Sequence, residues 1–538
     1  MTLPPLPVDE ALPALLAALD AGPSAVLAAP PGAGKTTRVP PALAAAPWAA
    51  HGRIVMLEPR RVAARAAAER IAEEAGERVG GAVGYRMRGE TRVSRTTRIE
   101  VVTEGVLTRM LQADPALEGV AAVVFDEVHE RSLQGDLGLA LALEAQGALR
   151  PDLRLVAMSA TLDTARFSRL MGEAPVIESA GRLHPVETVH LDRPLIPPRS
   201  RTRFEAAVAE RVAAALAAHA GDALVFLPGV GEIHRTAQAL AALVPGVAVV
   251  PLHGTLSFPA QRAALAADPG ERRRVVLATS IAETSLTVEG VRLVVDAGRA
   301  RRSEVDPATG LGRLVTRPVS RAEADQRRGR AGRLGPGVCV RLWTKGEEGA
   351  LPAEAPAEIL TADLAGLALE LAVWGVEDAS ALPFLDPPPG PALAEARALL
   401  ARLGALDAAG GATAHGRALA RFPAHPRLAQ MVLSAAAEGR GRLAARLAAL
   451  AEGRDPSGHT DVARALDALA DRKRAAREGA DRGALERIET EARRLAAAGR
   501  AAPRAPVPAP GAGARQAQAI PRPLGREALA ERPRQHVG

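Results

Sequence analysis

The sequence predicts an α/β protein: two parallel-sheet domains in tandem, then an α-helical region and a disordered tail. Three observations carry this. Short apolar runs recur between residues 25 and 295, each ending at a polar or glycine loop and followed by a helical stretch. That is the rhythm of a parallel sheet with helices on both faces. It is broken once, by the polar, proline-containing residues 181–200, which separate two sets of strands. Beyond residue 346 the strand-like runs stop, and Ala/Leu/Arg segments with helical spacing take over.

Composition bounds the answer further. A chain of 538 residues has room for three or four domains, and 48% hydrophobic residues supply a sizeable core. The sole cysteine, Cys339, excludes an intrachain disulfide and fits a reducing compartment, so we expect a cytoplasmic protein. No run of 18 apolar residues without charge is present, so no membrane span is expected. The opening Met-Thr-Leu-Pro-Pro lacks the cationic start of a signal peptide. The net charge is +7, but residues 495–538 hold seven Arg and two Glu, which leaves the body at about +2. Aromatic residues are 2% of the chain, too few for base-stacking platforms. A nucleic acid would therefore be held through its sugar-phosphate backbone, with little sequence preference.

The first strand is expected at Ala25 to Ala29, after an amphipathic helix over 8–22. Pro30-Pro31-Gly32-Ala33-Gly34-Lys35-Thr36-Thr37 follows, the tail of a phosphate-binding loop. Gly32 and Gly34 let the backbone approach a phosphate, Lys35 reaches the β- and γ-phosphates, and Thr36 offers a hydroxyl to Mg²⁺. The full pattern wants Gly at position 29, where this chain has Ala29, so a strand–turn–helix corner with a chance lysine stays open. The chain has only three lysines, Lys35, Lys345 and Lys473, against a large excess of arginine. A lysine that persists here argues for a compact ammonium.

Further strands are expected at 53–58, 99–102, 119–125 and 154–158. The first leads into Arg60 and Arg61 on a strand-to-helix loop, where ligands meet the ends of α/β strands; a solvated pair is the alternative. The second exits through Thr103-Glu104-Gly105. The third ends in Asp126-Glu127-Val128-His129, two carboxylates at the carboxyl end of a buried strand. There Asp126 can hold Mg²⁺ through water and Glu127 can polarise an attacking water; the alternative is an acidic turn capping the next helix. The fourth ends in Ser159-Ala160-Thr161. The second set comprises 223–227, 247–252 ending in His253-Gly254-Thr255, 274–278 ending in Thr279-Ser280, and 291–295. A β-hairpin is expected over 299–317 with its turn at 306–310. Gln326-Arg327-Arg328-Gly329-Arg330-Ala331-Gly332-Arg333 follows, with Arg330 and Arg333 on neighbouring positions of a helix face. They read as arginine fingers for a transferred phosphoryl group, or as a basic patch on a solvated helix. Past 346, residues 359–373 read as an amphipathic helix, 383–390 as a stiff linker, and 392–403 and 416–450 as further helices. Residues 462–498 read as charged and helical, and 499–538 as disordered. No metal-binding cluster of His and Cys is apparent.

Taken together, these motifs resemble the superfamily 2 DEAH/RHA helicases, and among them the bacterial HrpB-type ATP-dependent helicases. The matching stretches run in family order: 30–37, Glu58-Pro59-Arg60-Arg61 to Arg65, Thr103 to Leu107, Asp126 to Gln134, Ser159 to Asp163, Leu224 to Gly229, Thr279 to Thr287, and Gln326 to Arg333. Residues 403–429 also look like the family's winged-helix and ratchet region, and the resemblance covers about residues 8–455. Motif II reads Asp-Glu-Val-His where the family has Asp-Glu-Ala-His.

The resemblance implies RecA-like domains over 1–185 and 186–345, a winged-helix and ratchet region over 346–455, and a charged helical segment over 456–498. It implies ATP and Mg²⁺ as cofactors. Gly32, Ala33, Gly34, Lys35, Thr36 and Thr37 would cradle the phosphates, and Arg70 would stack on the base. Thr36 and Asp126 would hold Mg²⁺, and Glu127 would be the catalytic base. Gln326 would help position water, with Arg330 and Arg333 as fingers. His129, Ser159 and Thr161 would couple the site to domain movement. Arg60, Arg61, Thr103, His253, Gly254 and Thr279 would line a single-strand track. The implied activity is a monomeric 3′-to-5′ translocase and helicase on single-stranded RNA, with DNA as the alternative substrate. The rival reading is a non-catalytic or non-unwinding RNA-binding or remodelling protein with an uncoupled ATPase. Relatives continue through a long C-terminal region where this chain turns to Arg and Pro, which implies a C-terminally shortened member.

Overall fold

The computed structural model describes residues 4–160, 164–179, 181, 184–196, 202–266, 272–283, 288–305, 312–452 and 461–501. They form two compact units, Met1–Ala362 with Leu382–Asp386, and Asp363–Ala381 with Pro387–Gly538. The first unit holds two sheets and a hairpin; the second is helical.

The first sheet is built from β1 (Ser24–Ala28), β2 (Arg53–Glu58), β3 (Val83–Met87), β4 (Glu90–Arg92), β5 (Ile99–Thr103), β6 (Val120–Phe125), β7 (Arg154–Ser159) and β8 (Val176–Glu178). Their order is β4-β3-β5-β2-β6-β7-β1-β8. All neighbours are parallel except β3 and β4. β1 and β5 are buried at every residue, as a sheet covered by helices on both faces requires. Helices Lys35–Ala44, Arg61–Glu74, Glu104–Ala113 and Leu133–Ala148 follow β1, β2, β5 and β6. Parallel strands end on one edge, so the phosphate loop, Arg60, Thr103, the Asp126-Glu127 pair and Ser159 all gather there.

The second sheet takes β9 (Val186–His190), β10 (Asp222–Phe226), β11 (Ala248–Leu252), β12 (Arg274–Ala278) and β13 (Val291–Asp296). After a two-stranded antiparallel hairpin, β14 (Arg299–Val305) with β15 (Gly312–Pro318), it is completed by β16 (Gly337–Arg341). The order is β11-β12-β10-β13-β16-β9, parallel throughout. The polar stretch expected only to separate the two sets thus contributes β9. Its mostly polar Val-Glu-Thr-Val-His suits a half-buried edge strand. The hairpin turn, 306–311, lies outside the described residues.

Two expectations for helices are corrected. The helix Arg321–Gly329 stops before Arg330, and Arg330–Gly332 forms a 3₁₀ turn, so Arg330 and Arg333 do not share a helix face. Close approach selects the glycine here. A Cβ on Gly332 would lie 2.6 Å from the His184 carbonyl oxygen and 2.7 Å from Val186 Cγ2. Residues 359–373 are likewise not one amphipathic helix. Glu358–Leu360 is a 3₁₀ turn, and the helix Ala365–Trp374 is apolar and buried around most of its circumference.

In the second unit, helices Ala365–Trp374, Gly390–Arg402 and Ala414–Arg421 pack together around a turn closed by a bridge between Leu406 and Ala412. Helices Pro426–Ala437 and Gly441–Glu452 pack on Arg482–Ala501, whose Leu485, Ile488, Ala492 and Leu495 form a buried stripe. This last helix passes the expected boundary at 498; residues 456–460 and the expected disordered tail from 502 lie outside the described residues.

One buried cation ties the second sheet to its helix. Arg327 is 1% exposed. It donates from Nε to Glu283 Oε1 at 2.6 Å and from Nη1 to Asp296 Oδ1 at 2.7 Å, with its guanidinium 5.0 Å from the Phe226 ring centre. Removing one member of such a group leaves uncompensated buried charge. We expect Arg327→Met to destabilise the second sheet by about 3–5 kcal/mol, read as an earlier transition in chemical denaturation. An unchanged midpoint would contradict this.

Candidate functional site

The site begins where β1 runs out. The Ala29 amide donates to the Ser159 carbonyl at 3.0 Å and extends the β1–β7 pairing by one residue. Ala29 is buried and is not among the residues with positive φ. Nothing at position 29 therefore demands glycine. The demand falls on Gly32 and Gly34, with φ of +88° and +93°. At Gly34 space excludes a side chain as well, because a Cβ would lie 2.6 Å from Leu6 Cδ1. Gly34 caps the helix Lys35–Ala44. The positive end of that helix dipole therefore meets the loop.

Lys35 is buried, with Nζ 3.1 Å from Glu127 Oε2 and 3.9 Å from Asp126 Oδ1. The Thr36 hydroxyl donates to Asp126 Oδ2 at 2.5 Å. The two residues expected to share Mg²⁺ are thus adjacent, and both offer hard oxygen donors. Among the described residues no group of three or more His, Cys, Asp or Glu could hold a metal. An ion held by Thr36 and Asp126 would take its remaining oxygens from phosphate and water, the usual habit of Mg²⁺. The residues present fit that ion. Thr37 turns its hydroxyl back to the Gly34 carbonyl at 3.4 Å, and Ala33 is buried.

Burial sets the charges of this cluster. It raises the Asp126 carboxyl to about 6, against the pull of Lys35. It would raise Glu127 too, but Lys35 above all, with Arg330 behind it, outweighs it and holds Glu127 down at about 2. Glu127 is therefore ionised, the form a base requires. For Lys35 burial opposes the charge, and Glu127 with Asp126 overcome it. Glu58, at the end of β2, had no expected role. It is fully buried, and desolvation together with the charges of Asp126 and Glu127 pushes its carboxyl well above the usual range. It meets Asp126 as a neutral acid sharing a hydrogen bond.

His129 is buried, and desolvation lowers its pKa, so the ring is neutral. Its Nδ1 accepts from the Ala160 amide at 3.1 Å, which places the proton on Nε2, 3.4 Å from Glu127 Oε2. Motif II is thereby joined to the end of β7, where Ser159 is fully buried. Thr161 lies outside the described residues.

The second sheet reaches this edge. A Cβ on Gly32 would lie 3.5 Å from Arg333 Nε, so that guanidinium stands over the phosphate loop. Arg330 is buried, donates to the Glu283 carbonyl, and is close enough to Glu127 to lower its pKa. Burial takes Arg330 well below its ordinary range and Arg333 down to about 10. Gln326 lines a cavity of about 490 Å³ with Arg60, His129 and Glu130. From the second sheet, Arg333 thus meets the phosphate loop and Arg330 comes near Glu127.

The residues expected on a strand track divide. Arg60 bridges the sheets, donating from Nη2 to Glu130 at 3.2 Å and from Nη1 to the Ser280 carbonyl. Arg61 is not in the loop but opens the helix Arg61–Glu74, exposed. Thr103 is nearly buried at the N-terminus of the next helix, and Thr279 is partly exposed. His253 is turned inward, 4% exposed, with Nδ1 2.9 Å from Thr255 Oγ1. At that turn Gly254 and Thr255 are exposed. Arg70 lies along its own helix with Nε 2.7 Å from Glu74. Glu74 in turn lies 3.8 Å from Arg38 of the phosphate-loop helix.

Comparison with known proteins agrees with this geometry. Residues 9–169 match the DEAD/DEAH box helicase family and 207–335 the helicase conserved C-terminal domain. The ATP-dependent RNA helicase HrpB of Escherichia coli is 48% identical over 85% of this chain and 56% of its own length. The ATP-dependent RNA helicase HrpA of the same organism is 37% identical over 81% of this chain and 34% of its own. The pre-mRNA-splicing factor ATP-dependent RNA helicase prp22 of Schizosaccharomyces pombe is 36% identical over 80% and 37%. The crystal structure of E. coli DEAH/RHA helicase HrpB superposes with a TM-score of 0.81 at 45% identity, covering 92% of this chain and 60% of that one. The chain thus spans little more than half of HrpB and about a third of the other two. No described helix is long and apolar enough to cross a membrane.

Glu104, which follows Thr103, adds a pH dependence. Burial raises its carboxyl to about 8, with Glu130, Glu358 and Asp136 adding to the rise and the hydrogen bond with Ser132 opposing it. The folded chain keeps a proton that the unfolded chain releases in the ordinary carboxylate range, so stability falls as pH rises from there to about 8. Glu104→Gln removes that loss. The melting temperature of the variant should match the parent near pH 5 and exceed it increasingly towards pH 8. A constant difference across that window would contradict the assignment.

Proposed function

We propose, from the premise that this chain belongs to the DEAD/DEAH box helicases, that it is an ATP-driven motor on single-stranded RNA that translocates 3′ to 5′ and unwinds duplexes. The observation that carries this reading is the meeting of Lys35, Thr36, Asp126 and Glu127 from one sheet with Arg330 and Arg333 from the other. A nucleotide bound there touches both sheets, so its hydrolysis changes what holds them together.

In this mechanism the glycine loop and Lys35 take the phosphates. Thr36 and Asp126 would hold Mg²⁺, which would supply charge neutralisation on the phosphates. Phosphates that draw Lys35 away from Glu127 remove the main charge holding that carboxylate down. Glu127 becomes a stronger base as substrate arrives, and it accepts the proton of the attacking water. Arg330 and Arg333 face the charge that develops on the transferred phosphoryl group. Two buried guanidiniums side by side repel each other, and an anion between them relieves that cost. ATP therefore favours the closed arrangement and its loss favours opening. His129 passes the change at Glu127 to the end of β7. Arg60, Arg61, Thr103, Gly254 and Thr279 hold the strand by its backbone, and Gln326 helps orient water.

ATP hydrolysis by the purified chain, with and without single-stranded RNA and beside single-stranded DNA, tests this. Stimulation by RNA followed by displacement of a strand from a duplex with a 3′ overhang is expected. Lys35→Ala and Glu127→Gln should each lower hydrolysis by about 100-fold or more, with Glu127→Gln still binding ATP. Normal turnover in Lys35→Ala would sink the assignment.

A further inference from the structure

The loop that carries Glu127 is held in an unfavourable shape. Glu127 and Arg131 both have left-handed backbones, φ +54° and +51°, on either side of the 3₁₀ turn Val128–Glu130. A non-glycine residue in that region is strained and persists only where its surroundings over-determine it. For Glu127 those surroundings are Lys35 and His129. For Arg131 they come partly from a distant part of the sequence.

Arg131 grips Asp136 from Nε at 3.2 Å and from Nη2 at 2.9 Å. The same Nη2 lies 2.7 Å from Asp386 Oδ2. Its carbonyl accepts from the Glu358 amide at 3.0 Å, and the Glu358 carboxylate accepts from the Leu133 amide at 2.9 Å. Asp386 is itself fixed by Arg166 Nη2 at 2.7 Å. Glu358 and Asp386 follow the second sheet and lie outside both matched stretches, yet they belong to the same compact unit as the loop.

We propose that Asp386 is a positioning residue for hydrolysis: acting through Arg131, it holds the loop in the shape that aims Glu127. The inference rests on the ATPase reading above. It makes the segment around Asp386, outside both matched stretches, part of the catalytic loop's support. Charge-assisted contacts of this length fix a geometry that a neutral partner does not.

The test is steady-state ATP hydrolysis by the full chain and by Asp386→Asn, Arg131→Gln, their double variant and Arg166→Gln. Asp386→Asn should lower kcat about tenfold and leave KM for ATP within about twofold, because aim is lost and binding is not. In the Arg131→Gln background the same change should add nothing, since both act on one element. Arg166→Gln, which removes the other partner of Asp386, should stay within about twofold of the parent. An unchanged kcat in Asp386→Asn overturns the proposal. So does an equal loss in Arg166→Gln, or an additive loss in the double variant. A parent chain that does not hydrolyse ATP overturns the functional reading itself, and this inference with it.

Discussion

The ion pair between Lys35 and Glu127 is the constraint on which the rest of this structure depends. A buried ammonium is tolerable only beside a carboxylate, and a buried carboxylate only beside a cation. The two are 92 positions apart and come from different strand–loop units. They meet because β1 and β6 are parallel members of one sheet with only β7 between them, so both release their loops at the same edge. Thr36 with Asp126, and His129 with the Ala160 amide, are consequences of the same placement. The cluster is anionic as it stands, with three carboxyl groups around one lysine. Glu58 relieves part of that by staying protonated.

Much of this was legible because the residues announce themselves locally. Glycines before a lysine at the end of an apolar run need no partner to be read, and neither does a pair of acids directly after a buried strand. Glu58, Glu104 and Arg131 carry no such mark. Each is a single charged residue at a strand or turn end, where a cap or a solvated side chain is the common reading. Their roles arise only once the strand order β5-β2-β6 sets those ends side by side. Strands were lost for a related reason. β4 and β8 have three residues each, too short to show a period, and β9 is mostly polar; β8 and β9 are defined by parallel partners remote in sequence, and β4 by its antiparallel pairing with β3. The arginines near 330 were expected on one helix face and stand instead at a 3₁₀ turn. Gly332 lets the chain pass tight against the edge strand β9 there.

The seam between the sheets is built partly on the helix Arg61–Glu74 and the residue before it, where a bound strand would also be held. The helix Arg61–Glu74 belongs to the first sheet, yet Val62 and Ala66 pack into the core of the second. The Arg65 guanidinium lies 4.0 Å from the centre of the Phe258 ring on the other side. Arg60, immediately before that helix, gives donors to Glu130 beside the catalytic pair and to the Ser280 carbonyl beside Thr279. One guanidinium thus joins motif II to the end of β12. It carries five N–H donors in a fixed plane, so it keeps capacity for a phosphate while holding both. A backbone phosphate seated on Arg60 would draw on the same plane that ties the sheets together. Strand binding and sheet closure are then linked through a shared side chain, and such a link is reciprocal by thermodynamic necessity.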